Sequence, residues 1–425
     1  MISFILDRLN AILLIFLSTL LLNLALIFPY RFYFLVFIYL IPLLYLNEKK
    51  KLNMYKGIFW GIFFYTIHFY YLFILIYEKG EGQFRLFFIP IIILYFSIYS
   101  GIWFFLSSQL SYLIKNRSLG LIISTYLYIW FIYNYIFWIF QEKSGYVFSL
   151  PCLPLVHNSR FLSYLSICGL GFCICYILIL NLFLYFSTRN KKILVICLMF
   201  VIIFLYNPLD LRVEEDPLKT YTLKVNAKNK NPYELAQSIK WAIIDLANKI
   251  DSEPKVILMP ESSFPFALND YIEVIEWWYY DLKDKTIHII LGSHRREGAL
   301  LFNTVYHLYE GKIINFYDKT NLMFFSEKIP TLWKKLYIFN DLFLKDCQEF
   351  SSGDKNSYFN IGEIKSSVCI CSDLFLNKQI QTDCDIILLF MNYSWFRLKY
   401  IRRLIDFYVI LKRNQLNRPL ICANF

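Results

Sequence analysis

Charge is what this sequence has least of. Of its 425 residues 18% are charged, against 58% apolar and 20% aromatic, more Phe and Tyr than a soluble globular domain needs. Histidine is scarce: the five present are scattered. The ten cysteines form no CxxC pair and no Cys/His cluster at metal-ligand spacing, so neither a metal site nor a disulfide framework is expected, and no cofactor is called for. A glycine-rich phosphate loop is missing too, since GEGQF at 80–84 lacks the lysine and the context. The net charge of +11 does not mark a nucleic-acid binder, because the basic residues lie in short loops without a coherent patch. No charge falls deep inside the long apolar runs, which ranks a transporter low. His68, the main polar exception, reads as a packing or interfacial residue.

What is present divides the chain in two. Residues 1–206 are long uncharged runs, 207–219 (NPLDLRVEEDPLK) are a polar linker, and 220–425 read as an ordinary α/β domain. Seven spanning runs are expected, at about 9–28, 31–46, 56–78, 86–112, 119–140, 161–186 and 193–206, the second and seventh being short. The first is expected to be a retained helix, since no small-residue cleavage site follows it. Lys49, Lys50, Lys51, Lys56, Lys115, Arg117, Arg189, Lys191 and Lys192 fall in alternate loops. The other loops carry Arg31, Lys79, Arg85, Lys143 and Arg160 mixed with Glu78, Glu81 and Glu142. The positive-inside rule puts the richer set, and the N-terminus, in the cytoplasm, and seven crossings put the second half on the far side. The loop at 141–159 suits an interfacial segment or a plain connector equally.

In the second half the pattern alternates. YTLKVNA, KVILMP, TIHIILGSH, SSVCICS, CDIILLFMN and PLICAN read as strands. PYELAQSIKWAIIDLANKI, DYIEVIEWWYYDLKD and RRLIDFYVILKRNQL read as helices, and LFNTVYHLYEGKIINFYDK reads as a hairpin turning at Glu310–Gly311. The expected fold is a polytopic α-helical membrane domain followed by a layered α/β domain.

Chemistry is sought where strands end. Glu261 follows KVILMP, Asp318 and Lys319 follow the hairpin, and Cys371 ends its strand with Asp373 two residues on. A thiol needs a base to attack a carbonyl, a lysine cation stabilises an oxyanion, and a carboxylate can take and return the proton. Cys369 is a rival nucleophile. It shares a face with Cys371, and only position along the strand favours Cys371.

Four stretches in order, MPESSFP, FYDKTNLMFFSE, CICSDLF and MNYSWF, resemble the nitrilase-like (carbon–nitrogen hydrolase) superfamily. With seven spans in front, the resemblance is to the apolipoprotein N-acyltransferase family. It implies an α-β-β-α sandwich and a Glu261–Lys319–Cys371 triad, which settles the choice against Cys369. Glu327 matches the family's additional glutamate, Asn303 the asparagine before the hairpin strand, and Asn392, Trp395 and Phe396 the loop beside the pocket. The implied reaction moves an acyl chain from a membrane phospholipid, through a Cys371 thioester, to the α-amino group of a diacylglyceryl-cysteine on an apolipoprotein. The implied setting is the lipid bilayer of a bacterial inner membrane, with the catalytic domain in the periplasm.

The chain departs from the family pattern at Ser372 for Tyr, Asp373 for Glu, FFSE for PFGE, Tyr393 for Asp, Arg397 for Gly and Gln415 for Glu. It ends at ICANF, where family members continue to a last membrane helix, so a short or impaired form is expected. LMFF at 322–325 reads as a lipid-facing lid or as packing within the domain. A membrane-tethered amidase and an inactive lipid-binding scaffold are the alternatives.

Overall fold

The protein was analysed as a computed structural model, which describes residues 2–70, 88–135, 149–190, 193, 218, 220–224, 231–249, 256–282, 286–322, 327–328, 349–354, 358–375, 380, 383–395 and 398–424. It forms two compact units: Met1–Arg212 with Phe396–Gln415, and Val213–Trp395 with Leu416–Phe425.

The first unit is helical. Its helices are α1 (Ile2–Ile27), α2 (Pro29–Phe32), α3 (Ile41–Glu48), α4 (Met54–His68), α5 (Phe88–Leu113), α6 (Arg117–Tyr135), α7 (Ser159–Ser187) and, from far along the chain, α10 (Lys399–Leu416). Among the described residues, Asp7–Ile27, Pro29–Glu48, Ile89–Leu113 and Arg160–Ser187 are long and apolar enough to cross a membrane. The expected second span is not one helix. Pro29 starts α2, Tyr33–Phe37 is a 3-10 turn, and Pro42 lies at the start of α3. Pro29 and Pro42 each lack an N–H to donate, which suits a helix start and not a helix interior. The seventh run lies outside the described residues apart from Ile193, as do the end of the third, the GEGQF stretch and residues 141–148.

Neutral polar side chains align these helices. Trp60 Nε1 donates to Ser18 Oγ at 3.1 Å and Asn23 Nδ2 to Phe64 O at 3.2 Å, so α1 and α4 run side by side in the same direction. Asn181 of α7 donates to Val36 O at 2.8 Å and accepts from Leu40 N at 2.9 Å, satisfying backbone groups that the broken second span leaves open. One face gathers a set of ion pairs and charged hydrogen bonds. Arg117 donates to the Asn47 and Glu48 carbonyls, Arg189 pairs with Glu48, and Lys51 pairs with Asp7 at 3.2 Å.

The second unit is layered. One sheet has the order β1 (Tyr221–Thr222), β2 (Val256–Ala267), β3 (His288–Glu297), β4 (Leu300–Tyr309), β5 (Lys312–Asp318), parallel across β1–β3 and antiparallel from β3 to β5. The other has β6 (Tyr358–Ile361), β7 (Ile364–Ile370), β8 (Ile386–Phe390), β9 (Leu420–Ala423), with β7 to β9 parallel. Strand alternation splits β2: Ile257 and Met259 pack under α8 (Pro232–Ala247) and α9 (Glu273–Tyr280), whereas Val256 and Leu258 face Val368, Ile370, Leu388 and Phe390 of the other sheet. Helix α8 starts with a capping box between Asn231 and Glu234. The hairpin turns at Glu310 and Gly311, both at positive φ as a two-residue turn requires. A helical membrane part followed by a layered α/β part is thus the architecture. Helix α10, expected within residues 220–425, belongs to the first unit, because Ile401, Leu404, Phe407, Tyr408 and Leu411 are buried and its contacts include Tyr30, His68 and Tyr133.

Candidate active site

Glu261 does not follow its strand but lies inside it. The register of β2 against β3 shifts between Met259 and Phe264, and Ser262 sits at φ 57°, so a bulge re-aims the chain at this point. The neighbouring strand must come close here. A Cβ on Gly292 would lie 2.5 Å from Glu261 Cα, which leaves glycine as the residue that fits.

Two further side chains meet Glu261, and both also hold Glu327. Asn303 of β4 donates to Glu261 Oε1 and to Glu327 Oε1, both at 2.8 Å. Lys319 follows β5 directly. Its Nζ lies 2.9 Å from both Glu327 oxygens and 3.4 Å from Glu261 Oε1, and the side chain is 1% exposed. Its backbone is fixed on both sides, with Lys319 N donating to Asn303 O at 2.8 Å and Gly353 N to Lys319 O at 2.9 Å. A Cβ on Gly353 would come within 2.4 Å of Asp318 O, so this close support again needs glycine.

Cys371 stands at the end of β7, where a 3-10 turn (Cys371–Phe375) begins, and its φ is 45°. A non-glycine residue held in the left-handed region costs about 1–3 kcal/mol and needs surrounding structure to hold it there. Asp373 supplies much of that structure. Its buried carboxylate accepts from Ile370 N at 3.0 Å, Tyr317 Oη at 2.9 Å, Thr320 Oγ1 at 3.2 Å and Asn321 N at 2.8 Å. Asn321 closes the assembly: its Nδ2 donates to Ser372 O at 2.7 Å, and its own carbonyl accepts from Ser372 Oγ. The loop after the lysine is thereby laced to the turn that carries the thiol. Cys369, by contrast, is a mid-strand residue paired with Leu389 and 1% exposed.

The electrostatics follow from burial and pairing. Burial raises the Glu261 carboxyl above its usual range and Glu327 raises it further, while Lys319 and Asn303 oppose the rise. Burial works against the Lys319 charge, but Glu261, Glu327, Cys371 and Asp373 outweigh it and hold the ammonium well above its ordinary range. Burial lifts the Cys371 thiol well above normal, with Glu261 adding to the effect and Lys319 countering it. Burial pushes Asp373 up to about 6 against the pull of Lys319 and its donors. A protonated thiol, a carboxylate of raised basicity and a fixed cation therefore share one site. That set can deprotonate a nucleophile, hold an oxyanion and return a proton.

The structure brings Glu261, Asn303, Lys319 and Glu327 into direct contact and ties Asp373 to the same loop. Asn392 accepts from Ser394 N at 3.0 Å and from the Ser394 hydroxyl, so its described hydrogen bonds stay within its own turn. Phe396, the Trp395 side chain and Met323–Phe325 of the LMFF stretch lie outside the described residues, and Leu322 is buried. Sequence reasoning missed Asn321, Gly292 and Gly353. Asn321 lies two positions after Lys319, but nothing in its residue type announces a contact with Ser372. Among the described residues no group of three or more His, Cys, Asp or Glu side chains is placed to hold a metal ion.

Fold and site together define a membrane-helix protein carrying a two-sheet α/β unit with a buried Glu–Lys–Glu cluster and a half-buried cysteine at a strand end. Its sequence is similar to curated apolipoprotein N-acyltransferases. It is 30% identical over 247 residues to that of Helicobacter hepaticus, covering 55% of this chain and 59% of the relative. It is 26% identical over 227 residues to that of Campylobacter jejuni, covering 52% and 49%. The chain thus matches about half the length of these relatives. Among solved structures, an amidase of the nitrilase superfamily from Nesterenkonia aligns at TM-score 0.35 with 13% identity, covering 48% of this chain and 75% of that one. A CN-hydrolase superfamily protein from Xanthomonas campestris aligns at 0.32 with 14% identity, covering 46% and 70%. No protein-family model matches the chain.

Proposed function

We propose that this chain moves a fatty acyl group from a membrane phospholipid to the α-amino group of the diacylglyceryl-cysteine of an apolipoprotein, by way of a thioester on Cys371. The observation that carries the reading is the buried Glu261–Lys319–Glu327 cluster beside a thiol held at positive φ. The similarity to apolipoprotein N-acyltransferases supplies the substrate class.

In the first half-reaction Glu261 takes the Cys371 proton as sulfur bonds to the ester carbonyl carbon, and Lys319 holds the oxyanion. Collapse breaks the carbon–oxygen bond, and the leaving alkoxide recovers the proton from Glu261 as a lysophospholipid. In the second, the amine attacks the thioester carbonyl and Glu261 accepts an amine proton. The carbon–sulfur bond breaks, the amide forms, and the thiolate is reprotonated. Glu327 and Asn303 have a different role. They fix the lysine and the base, so that little reorganisation accompanies charge development.

The proposed setting is a bacterial inner membrane, with the N-terminus cytoplasmic and the catalytic unit periplasmic. The gathering of Lys51, Arg117 and Arg189 on one face of the helical unit supports that orientation. Intact-mass measurement tests the mechanism. Incubation with phospholipid should add one acyl chain, which hydroxylamine removes and which Cys371→Ser abolishes. Unchanged N-acylation of an apolipoprotein by Cys371→Ser would sink the mechanism. Release of free fatty acid without transfer to an amine would favour a hydrolase.

A further inference from the structure

Helix α10 is amphipathic: its apolar side is buried, whereas Lys399 and Arg403 are exposed. Four contacts locate it within the helical unit. Tyr400 Oη donates to His68 O at 3.4 Å, at the end of α4. Lys412 Nζ lies 3.1 Å from Tyr133 Oη, near the described end of α6. Phe407 packs edge-on to Tyr30, just past α1, with ring centroids 5.6 Å apart, and 6.3 Å from the His157 ring, just before α7.

These four ends lie on one face of the unit. Helices α1 and α4 run parallel through the Ser18–Trp60 and Asn23–Phe64 contacts. Helix α6 starts beside the end of α3, through Asn47 Nδ2 to Arg117 O at 2.6 Å, and passes α4 at Tyr65–Tyr128, 2.9 Å. Helix α7 returns, with Gly171 beside Tyr126 and Arg189 at Glu48. Helix α10 therefore lies across the ends opposite the Glu48, Arg117 and Arg189 face. The rings of Tyr30, Tyr33, His157 and Phe407 form a cluster at that level, the composition of a membrane–water boundary.

On this aromatic floor sit the exposed cations Arg31, Lys399 and Arg403, which outnumber the one exposed carboxylate of α10, Asp406. The Arg403 guanidinium lies 5.8 Å from the Tyr30 ring centroid, and Arg31, next in the chain to Tyr30, is exposed beside it in sequence. A helix that buries one side in spanning helices and turns cations outward at the boundary matches the chemistry of lipid headgroups. We infer that α10 is an interfacial helix whose outer side, through Arg31, Lys399 and Arg403, binds the headgroups of anionic phospholipids in the adjoining leaflet. The inference does not depend on the proposed Cys371 chemistry.

The test is lipid retention by the full-length protein in detergent, read by native mass spectrometry with phosphatidylglycerol and phosphatidylcholine in equal amounts. The wild type should keep the anionic lipid preferentially, and the Arg31→Gln, Lys399→Gln, Arg403→Gln triple variant should lose that preference by about a hundredfold, given the strength of three basic residues at an anionic surface. A variant with Arg31→Lys, Lys399→Arg and Arg403→Lys should behave as the wild type. In the wild type and in this charge-conserving variant the preference should fall steeply as salt rises. Equal retention of both lipids, a preference indifferent to salt, or full preference in the triple Gln variant would each overturn the assignment. Displacement of the lipid by inorganic phosphate alone would also count against it.

Discussion

The two units bury polarity in opposite ways. Inside the helical unit the buried polar side chains of the spanning helices are neutral: Ser18, Asn23, Ser97, Ser111, Ser124, Thr125 and Asn181, with His68 at a helix end. Their hydrogen bonds go largely to backbone carbonyls, as with Ser97 to Ile93 O at 2.6 Å. Inside the α/β unit the buried set includes Glu261, Lys319 and Asp373, which are ionisable and mutually dependent. Hydroxyls and amides suffice to align helices in lipid, where a misplaced charge is costly. Two lysines are buried elsewhere, Lys412 of α10 against the Tyr133 and Tyr408 rings and Lys240 of α8 against Asp281 and the Trp277 ring. What sets Glu261, Lys319 and Asp373 apart is that ionisable groups of both signs are buried together.

The strongest way to break the contrast is Lys319→Met. It removes the cation and leaves Glu261 and Glu327 buried together, which should cost about 3–5 kcal/mol of stability and abolish acyl-enzyme formation. Denaturant unfolding and intact-mass measurement would check both, and a stable, active variant would refute the shared-charge picture. A second test uses pH. Burial moves the Asp373 carboxyl from 3.8 to about 6. Between about pH 4 and 6 the unfolded carboxyl ionises before the folded one. The folded state then binds the extra proton, and stability falls as pH rises through that window, by about 3 kcal/mol in all. Asp373→Asn lacks this slope, so the stability of wild type relative to the variant should decline from pH 4 to pH 7, measured as a difference in Tm. The smallest effect is expected in the helical unit. Asn181→Ala loses its contacts to Val36 and Leu40 and should cost only about 0.6–1.7 kcal/mol, read by thermal unfolding in detergent.

Much of the α/β unit is legible in the sequence, because its strands are short apolar runs between turn formers and its hairpin carries Glu310–Gly311. The site is legible only as a series. Glu261, Lys319 and Cys371 are unremarkable one at a time, and the order of four stretches is what joins them. Residue type carries no information about the bulge that keeps Glu261 inside β2, because register is decided by the pairing of β2 with β3. The strand Tyr358–Ile361 is too short to announce itself. The break at Tyr33–Phe37 hides in an apolar run, where hydropathy is blind to helix continuity. Asn321 is silent for another reason: its partner Ser372 lies 51 residues away, and only the fold sets the two face to face.

The excursion of residues 396–415 into the helical unit bears on how the protein can be handled. A fragment cut at residue 213 to obtain the α/β unit alone would carry α10 with it and strip Phe407 of Tyr30 and His157, and Lys412 of Tyr133. Such a piece would present a naked greasy strip close to the end of its own sequence. Poor solubility on expression would then reflect where the scissors fell, and would say nothing against the integrity of the Glu261–Lys319–Glu327 cluster.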